Sequence, residues 1–224
     1  MAKLESSFKN MVVSLSVIAV VVAGLLAILN NITSGPIEQS KAAKQQEAIK
    51  AVISDFDEIK AEEANGLNIN KAYKGGKFVG AAVESKSANG FGGEIKVMVG
   101  FDAQGIITGY SVLEQKETPG LGTQMVTWFK PQGEKTKSLL ETIFGYEVKT
   151  IEKNSSIIGK NPAEVNMTVS KDGGDIDAIT ASTISSRAFL ESVRAAYAAY
   201  AAANDKPQPT NTDANSGATT NGGL

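Results

Sequence analysis

Two short runs hold the hydroxyls, carboxylates and glycines from which a site can be assembled in this chain: DAITAST, Asp177–Thr183, and ETPGLG, Glu117–Gly122. The first sets two threonine hydroxyls, Thr180 and Thr183, three residues apart, just ahead of an alanine-rich segment. If a helix begins there, its unpaired N–H groups and positive dipole end suit a phosphate. The same hydroxyls equally suit an ordinary N-cap, with Asp177 capping the turn before it. In the second run Pro119-Gly120 fits the central positions of a type II turn, and Gly122 is a further permissive residue. Such a loop either only connects two elements or lets a planar ligand come close to the backbone, with Glu117 or Thr118 giving hydrogen bonds.

Composition narrows the chemistry. The 224 residues include no histidine and no cysteine. Histidine bases, Ser-His-Asp triads and histidine-ligated metal or haem are therefore excluded. So are disulfides, thiolate catalysis, zinc–thiolate sites and cysteine-held iron–sulfur clusters. What remains is carboxylates, hydroxyls, lysines or a borrowed cofactor, and no metal site is expected. A net charge of −2 gives no broad attraction to nucleic acid, so none is expected as a partner. No G-x-G-x-x-G unit with βαβ flanks is present to hold a nicotinamide donor, which argues against a free-standing reductase.

The elements that must position these runs follow from patterning. Between Lys9 and Glu38 lie 28 residues without a formal charge, centred on the apolar stretch Met11–Leu29. Nineteen residues at a 1.5 Å rise reach about 28 Å, close to the hydrocarbon thickness of a bilayer. The expected layout is a cytoplasmic N-terminus at 1–10, a transmembrane anchor at 11–29, a stalk helix at 30–64, one domain at 65–203 and a disordered tail at 204–224. Lys3 and Lys9 before the span are balanced by Lys41 and Lys44 after it, so charge alone does not set the orientation. Within the domain, strands are predicted at Phe78–Lys86, Gly93–Gly100, Ile106–Leu113 and around Val165–Val169. Helices are predicted at Lys135–Phe144, ending at Gly145, and from Thr183 to Ala203. Separate strands and helices without a regular βαβ repeat give an α+β class with antiparallel strands.

Taken together, Gly90–Gly122 (GFGGEIKVMVGFDAQGIITGYSVLEQKETPGLG) and DAITASTISS resemble the FMN-binding domain of bacterial respiratory flavoproteins. Within that family the anchor and the length are most similar to the G subunits of Rnf complexes. The C subunits of sodium-translocating NADH:quinone oxidoreductases are a close second. The resemblance covers roughly residues 10–203. It implies FMN linked covalently, as a phosphoester, to a threonine in a D-x-x-S/T-G-A-T signature. A separate flavin transferase makes the link from FAD with AMP leaving. Carried over, Thr183 is the attachment residue, Thr180 and Ser182 flank it, and Asp177 is the leading carboxylate. Glu117, Thr118, Gly120, Leu121 and Gly122 lie against the flavin. Two departures stand out: Ala181-Ser182 replaces the usual Gly-Ala, and Gln115 stands where relatives often carry histidine. A second match, DANSGAT at Asp213–Thr219, makes Thr219 a rival attachment point in the tail.

The implied function is an electron-transfer subunit of an ion-translocating ferredoxin:NAD oxidoreductase in the inner membrane. Its partners would be other subunits, the transferase and the lipid bilayer. The competing expectation is an anchored scaffold or solute-binding domain with no chromophore.

Overall fold

The computed structural model describes residues 8–131 and 154–209. The chain divides into two compact units, Met1–Gln45 and Gln46–Leu224.

Helix α1 spans Phe8–Val52. From Met11 to Leu29 its large apolar side chains are exposed all around its circumference. This stretch is long and apolar enough to cross a membrane. Where the apolar run ends, Thr33 Oγ1 donates to the Leu29 carbonyl at 2.8 Å and Ser34 Oγ to that of Asn31 at 3.2 Å. Both hydroxyls are thereby satisfied inside the helix.

The expected stalk helix stops short of residue 64. Asp55 takes a φ of 70°, and Glu58–Ala64 forms the first strand, β1. It pairs with β2 (Leu67–Lys74) through a two-residue turn, Asn65-Gly66, in which both φ values are positive. That geometry matches the right-handed strand twist, and Asn-Gly favours it. Pairing thus overrides the helical propensity of EIKAEEA. Three strands follow: β3 (Lys77–Gly90), β4 (Gly93–Asp102) and β5 (Ile107–Glu114). The five form one antiparallel meander in chain order. The strands predicted at 78–86, 93–100 and 106–113 lie within β3, β4 and β5, apart from Ile106.

Both faces of the sheet are covered. Ile95, Val97 and Val99 of β4 share a core with Val83, Phe101 and the long helix α3 (Thr183–Ala203). Met98, on the other face, packs with Ala48, Ile49 and Val52 at the end of α1. Thr108 Oγ1 of β5 donates to the Val52 carbonyl at 2.5 Å, fixing that end. α3 inserts Phe189, Val193, Tyr197 and Tyr200 into the first face. Phe189 stacks on Phe129 at 4.5 Å and meets Tyr110 edge-on at 4.9 Å. Those contacts bring the short helix α2 (Met125–Trp128), which follows the ETPGLG loop, against α3. The architecture is α+β.

The segment Val165–Val169 is not a strand. It makes a single parallel bridge, Val169 to Ile176. Asn166 and Asp175 instead close a local loop, each backbone N–H donating to the other residue at 2.8 and 3.0 Å. The helix predicted at Lys135–Phe144 and the tail motif with Thr219 lie outside the described residues.

Candidate functional site

The ETPGLG loop folds as its residues predict. Leu121 N–H donates to the Thr118 carbonyl at 3.1 Å, and Gly120 has a φ of 76°. This closes a type II turn with Pro119 and Gly120 at its centre. Gly120 N–H also donates to Thr123 Oγ1 at 2.9 Å. Thr118 and Gly120 are exposed, and Leu121 is 39% exposed. A Cβ at Gly120 would meet nothing within 4 Å, so open space lies over the turn. Glu117 and Gly122, in contrast, are buried.

The DAITAST run forms the approach to α3. Ser182 N–H donates to the Ile179 carbonyl at 3.0 Å across a turn in which Ala181 has a φ of 60°. Thr183 is the first residue of α3 and is half-exposed. Lys171 Nζ lies 3.5 Å from its Oγ1 and is oriented to donate. Ser182, at the N-cap, makes no side-chain cap; its Oγ lies 2.9 Å from Ser185 Oγ. Ser186 Oγ accepts the Ile179 N–H at 2.9 Å and so ties the turn to the helix.

Two predicted residues have other surroundings. Asp177 accepts from Asn154 N–H at 2.8 Å and from Ser170 Oγ at 3.1 Å, while its carbonyl accepts from Trp128 Nε1 at 2.9 Å. It is a joint between three segments. Thr180 is exposed.

The structure draws Glu117, Gly122 and Ser182 into one buried cluster around Ser185, with Thr183 adjacent in the chain. Ser185 and Lys171 were not among the predicted site residues. Lys171 is held by its neighbour: Arg187 Nε and Nη2 donate to the two Asp172 oxygens at 2.6 and 2.7 Å. The guanidinium holds the Asp172 carboxyl below its ordinary range.

A cavity of about 710 Å³ runs along α3, bordered by Asn89, Thr168, Asp172, Ile184, Arg187 and Arg194 among others. Arg194 donates to the Met167 carbonyl at 2.6 Å, and burial lowers its guanidinium pKa. Among the described residues no cluster of three carboxylates could hold a metal ion.

Comparison with known proteins bears on this arrangement. Residues 90–198 match the model of the FMN-binding domain family. That range contains the ETPGLG loop, the turn at Ala181 and most of α3. The chain is 31% identical over 195 residues to the G subunit of an ion-translocating oxidoreductase complex from Photorhabdus laumondii, covering 81% of this chain and 85% of that protein. The corresponding G subunit from Aliivibrio fischeri is 32% identical over 174 residues, covering 77% and 70%. A third relative, the G subunit of the Na(+)-translocating ferredoxin:NAD(+) oxidoreductase complex of Acetobacterium woodii, is 29% identical, covering 83% and 88%. The chain belongs to the family of G subunits of ion-translocating oxidoreductase complexes, and its globular part contains an FMN-binding domain.

Proposed function

We propose that this protein is a membrane-anchored electron-transfer subunit of an Rnf-type ferredoxin:NAD oxidoreductase, with FMN joined to Thr183 by a phosphoester. One observation carries the attachment point. Thr183 is a half-exposed hydroxyl at the start of α3, uncapped by Ser182 and faced by the Lys171 ammonium. A phosphodiester there has one anionic oxygen to balance, and the ammonium and the helix end are both positive. The open space over Gly120 and the exposed Leu121 suit an apolar ring. These features support a fit between the residues present and FMN.

FMN supplies one- and two-electron redox chemistry when bound, which lets it join unlike carriers. The chain's own residues do the rest. Lys171 and the start of α3 would hold the phosphate, and the ETPGLG loop would orient the ring. The anchor has no charge between Lys9 and Glu38, so an ion path belongs to other subunits. The domain faces the extracytoplasmic side of the inner membrane, and a flavin transferase is needed for maturation.

The test is in-gel flavin fluorescence after SDS denaturation, with the chain co-expressed with a flavin transferase. Wild type should fluoresce, Thr183→Ala should not, and Thr219→Ala should match wild type. Loss with Thr219→Ala alone moves the cofactor to the tail. No fluorescence in any lane, beside a control substrate that is labelled, favours a scaffold without flavin.

A further inference from the structure

Glu117 is only 5% exposed, and no lysine or arginine among the described residues forms an ion pair with it. A carboxylate removed from water needs other donors in its place. Here they come from separate segments. Gly92 N–H, in the β3–β4 turn, donates to Oε1 at 3.2 Å. Ser185 Oγ, in the first turn of α3, donates to Oε2 at 2.7 Å. Glu117 N–H itself donates to Gln115 Oε1 at 2.7 Å, which fixes the start of the loop.

The fit is close enough to require glycine at the contact points. A Cβ at Gly122 would fall 2.6 Å from Glu117 Oε2 and 2.7 Å from Ser185 Oγ. One at Gly92 would fall 1.9 Å from the Lys116 carbonyl oxygen. The β3–β4 turn, the ETPGLG loop and the start of α3 therefore meet on one carboxylate.

The same contact engages the serine at the start of α3. A serine at this position normally gives its oxygen to an N–H of the first turn. Ser182 Oγ is instead paired with Ser185 Oγ, whose other partner is Glu117.

We propose that Glu117, acting through Ser185, is a positioning residue for the flavin: it locks the ETPGLG loop to the first turn of α3 and keeps the Ser182 hydroxyl off the helix end beside Thr183. Both Glu117 oxygens are engaged by protein donors, so it acts on the flavin through the elements it joins rather than by touching the ring. The proposal rests on the reading that Thr183 carries FMN.

The test uses the full chain in detergent, as Ser185→Ala, Ser185→Thr and Glu117→Gln, each made with and without a flavin transferase. Three quantities are read: amide hydrogen exchange of residues 118–124 in the unflavinylated protein, the flavinylated fraction by intact mass, and the visible circular dichroism of the attached flavin. In Ser185→Ala, exchange at Leu121 and Thr123 should rise by about tenfold or more as the loop opens locally. Loading should fall severalfold and the flavin dichroism should weaken. Ser185→Thr, which keeps the hydroxyl, should restore all three.

Unchanged exchange in Ser185→Ala overturns the lock. Faster exchange with wild-type loading and dichroism overturns the positioning role and leaves a merely structural contact. If Ser185→Ala does not fold, Glu117→Gln carries the same comparison, since the amide keeps the size but loses the second acceptor. A Thr183→Ala control that still loads flavin sinks the attachment reading instead, while the exchange measurement still decides the lock.

Discussion

At the scale of single residues, the approach to Thr183 is strained at one point. Ala181 sits in the left-handed region with a φ of 60°, where a side chain costs about 1 kcal/mol. The resembling family usually has glycine there, and the turn shows why: the chain must reverse between Ile179 and Ser182 to start α3. Ala181→Gly should relieve the strain, partly offset by the greater unfolded-state freedom of glycine. We expect the unflavinylated protein to gain roughly 0.5–1 kcal/mol, read as a higher melting temperature, with loading at least at the wild-type level. A lower melting temperature contradicts this account of the turn. Asp177 shows the opposite lesson. Its carboxylate is engaged by Asn154 and Ser170, so its substitution should disturb the fold before it disturbs the flavin.

At the scale of elements, the short helical turn Ser170–Asp172 carries Lys171 and is tied to α3 by the Asp172–Arg187 pair. The hydrogen bond from Arg187, with the charges of Arg187 and Lys171, holds the Asp172 carboxyl below its usual value of 3.8. A carboxyl depressed by folding adds stability above its unfolded pKa and loses it as pH falls through the folded one. Asp172→Asn should therefore melt below wild type near neutrality, and the gap should narrow as the pH falls below the ordinary carboxylate range and through the lowered Asp172 value. Thermal melts across that range check it, and a gap that persists in acid removes the pair from the account.

The same scale shows what the sequence made legible. α3 was readable because its sequence is rich in alanine, the strongest helix former. The edge strand β1 and its neighbour β2 were not, because EIKAEEA has no alternating pattern; Asn65-Gly66 and Gly75-Gly76, both pairs with positive φ, were the available signals. Val165, Met167 and Val169 do alternate, yet Asn166 and Asp175 bond to each other and claim the backbone for a loop. In the site, the hydroxyls and the type II turn could be read locally. The bond that joins them, Ser185 to Glu117, spans 68 residues, and no local pattern announces it.

At the scale of the whole molecule, the question is which side of the membrane the domain faces. Two lysines flank the apolar stretch on each side, so the charge balance does not choose. The proposed linkage does supply an argument. A flavin held only by noncovalent contacts can dissociate, and a domain on the extracytoplasmic side, as proposed, is separated by the membrane from cytoplasmic FMN. A phosphoester removes that loss, which is the purpose the proposed covalent bond would serve on that side. The absence of cysteine makes the matter directly measurable, because one introduced thiol is the only one in the chain. Lys77→Cys places it at an exposed position at the start of β3, and Ser6→Cys places it before the apolar stretch. With intact cells and a membrane-impermeant maleimide, Lys77→Cys should be labelled and Ser6→Cys protected until lysis. Both variants should stay with the membrane fraction after an alkaline wash, as an anchored chain must. The reverse labelling puts the domain in the cytoplasm and removes this rationale for a covalent flavin. Release of either variant by the wash means that the apolar helix is not retained as an anchor.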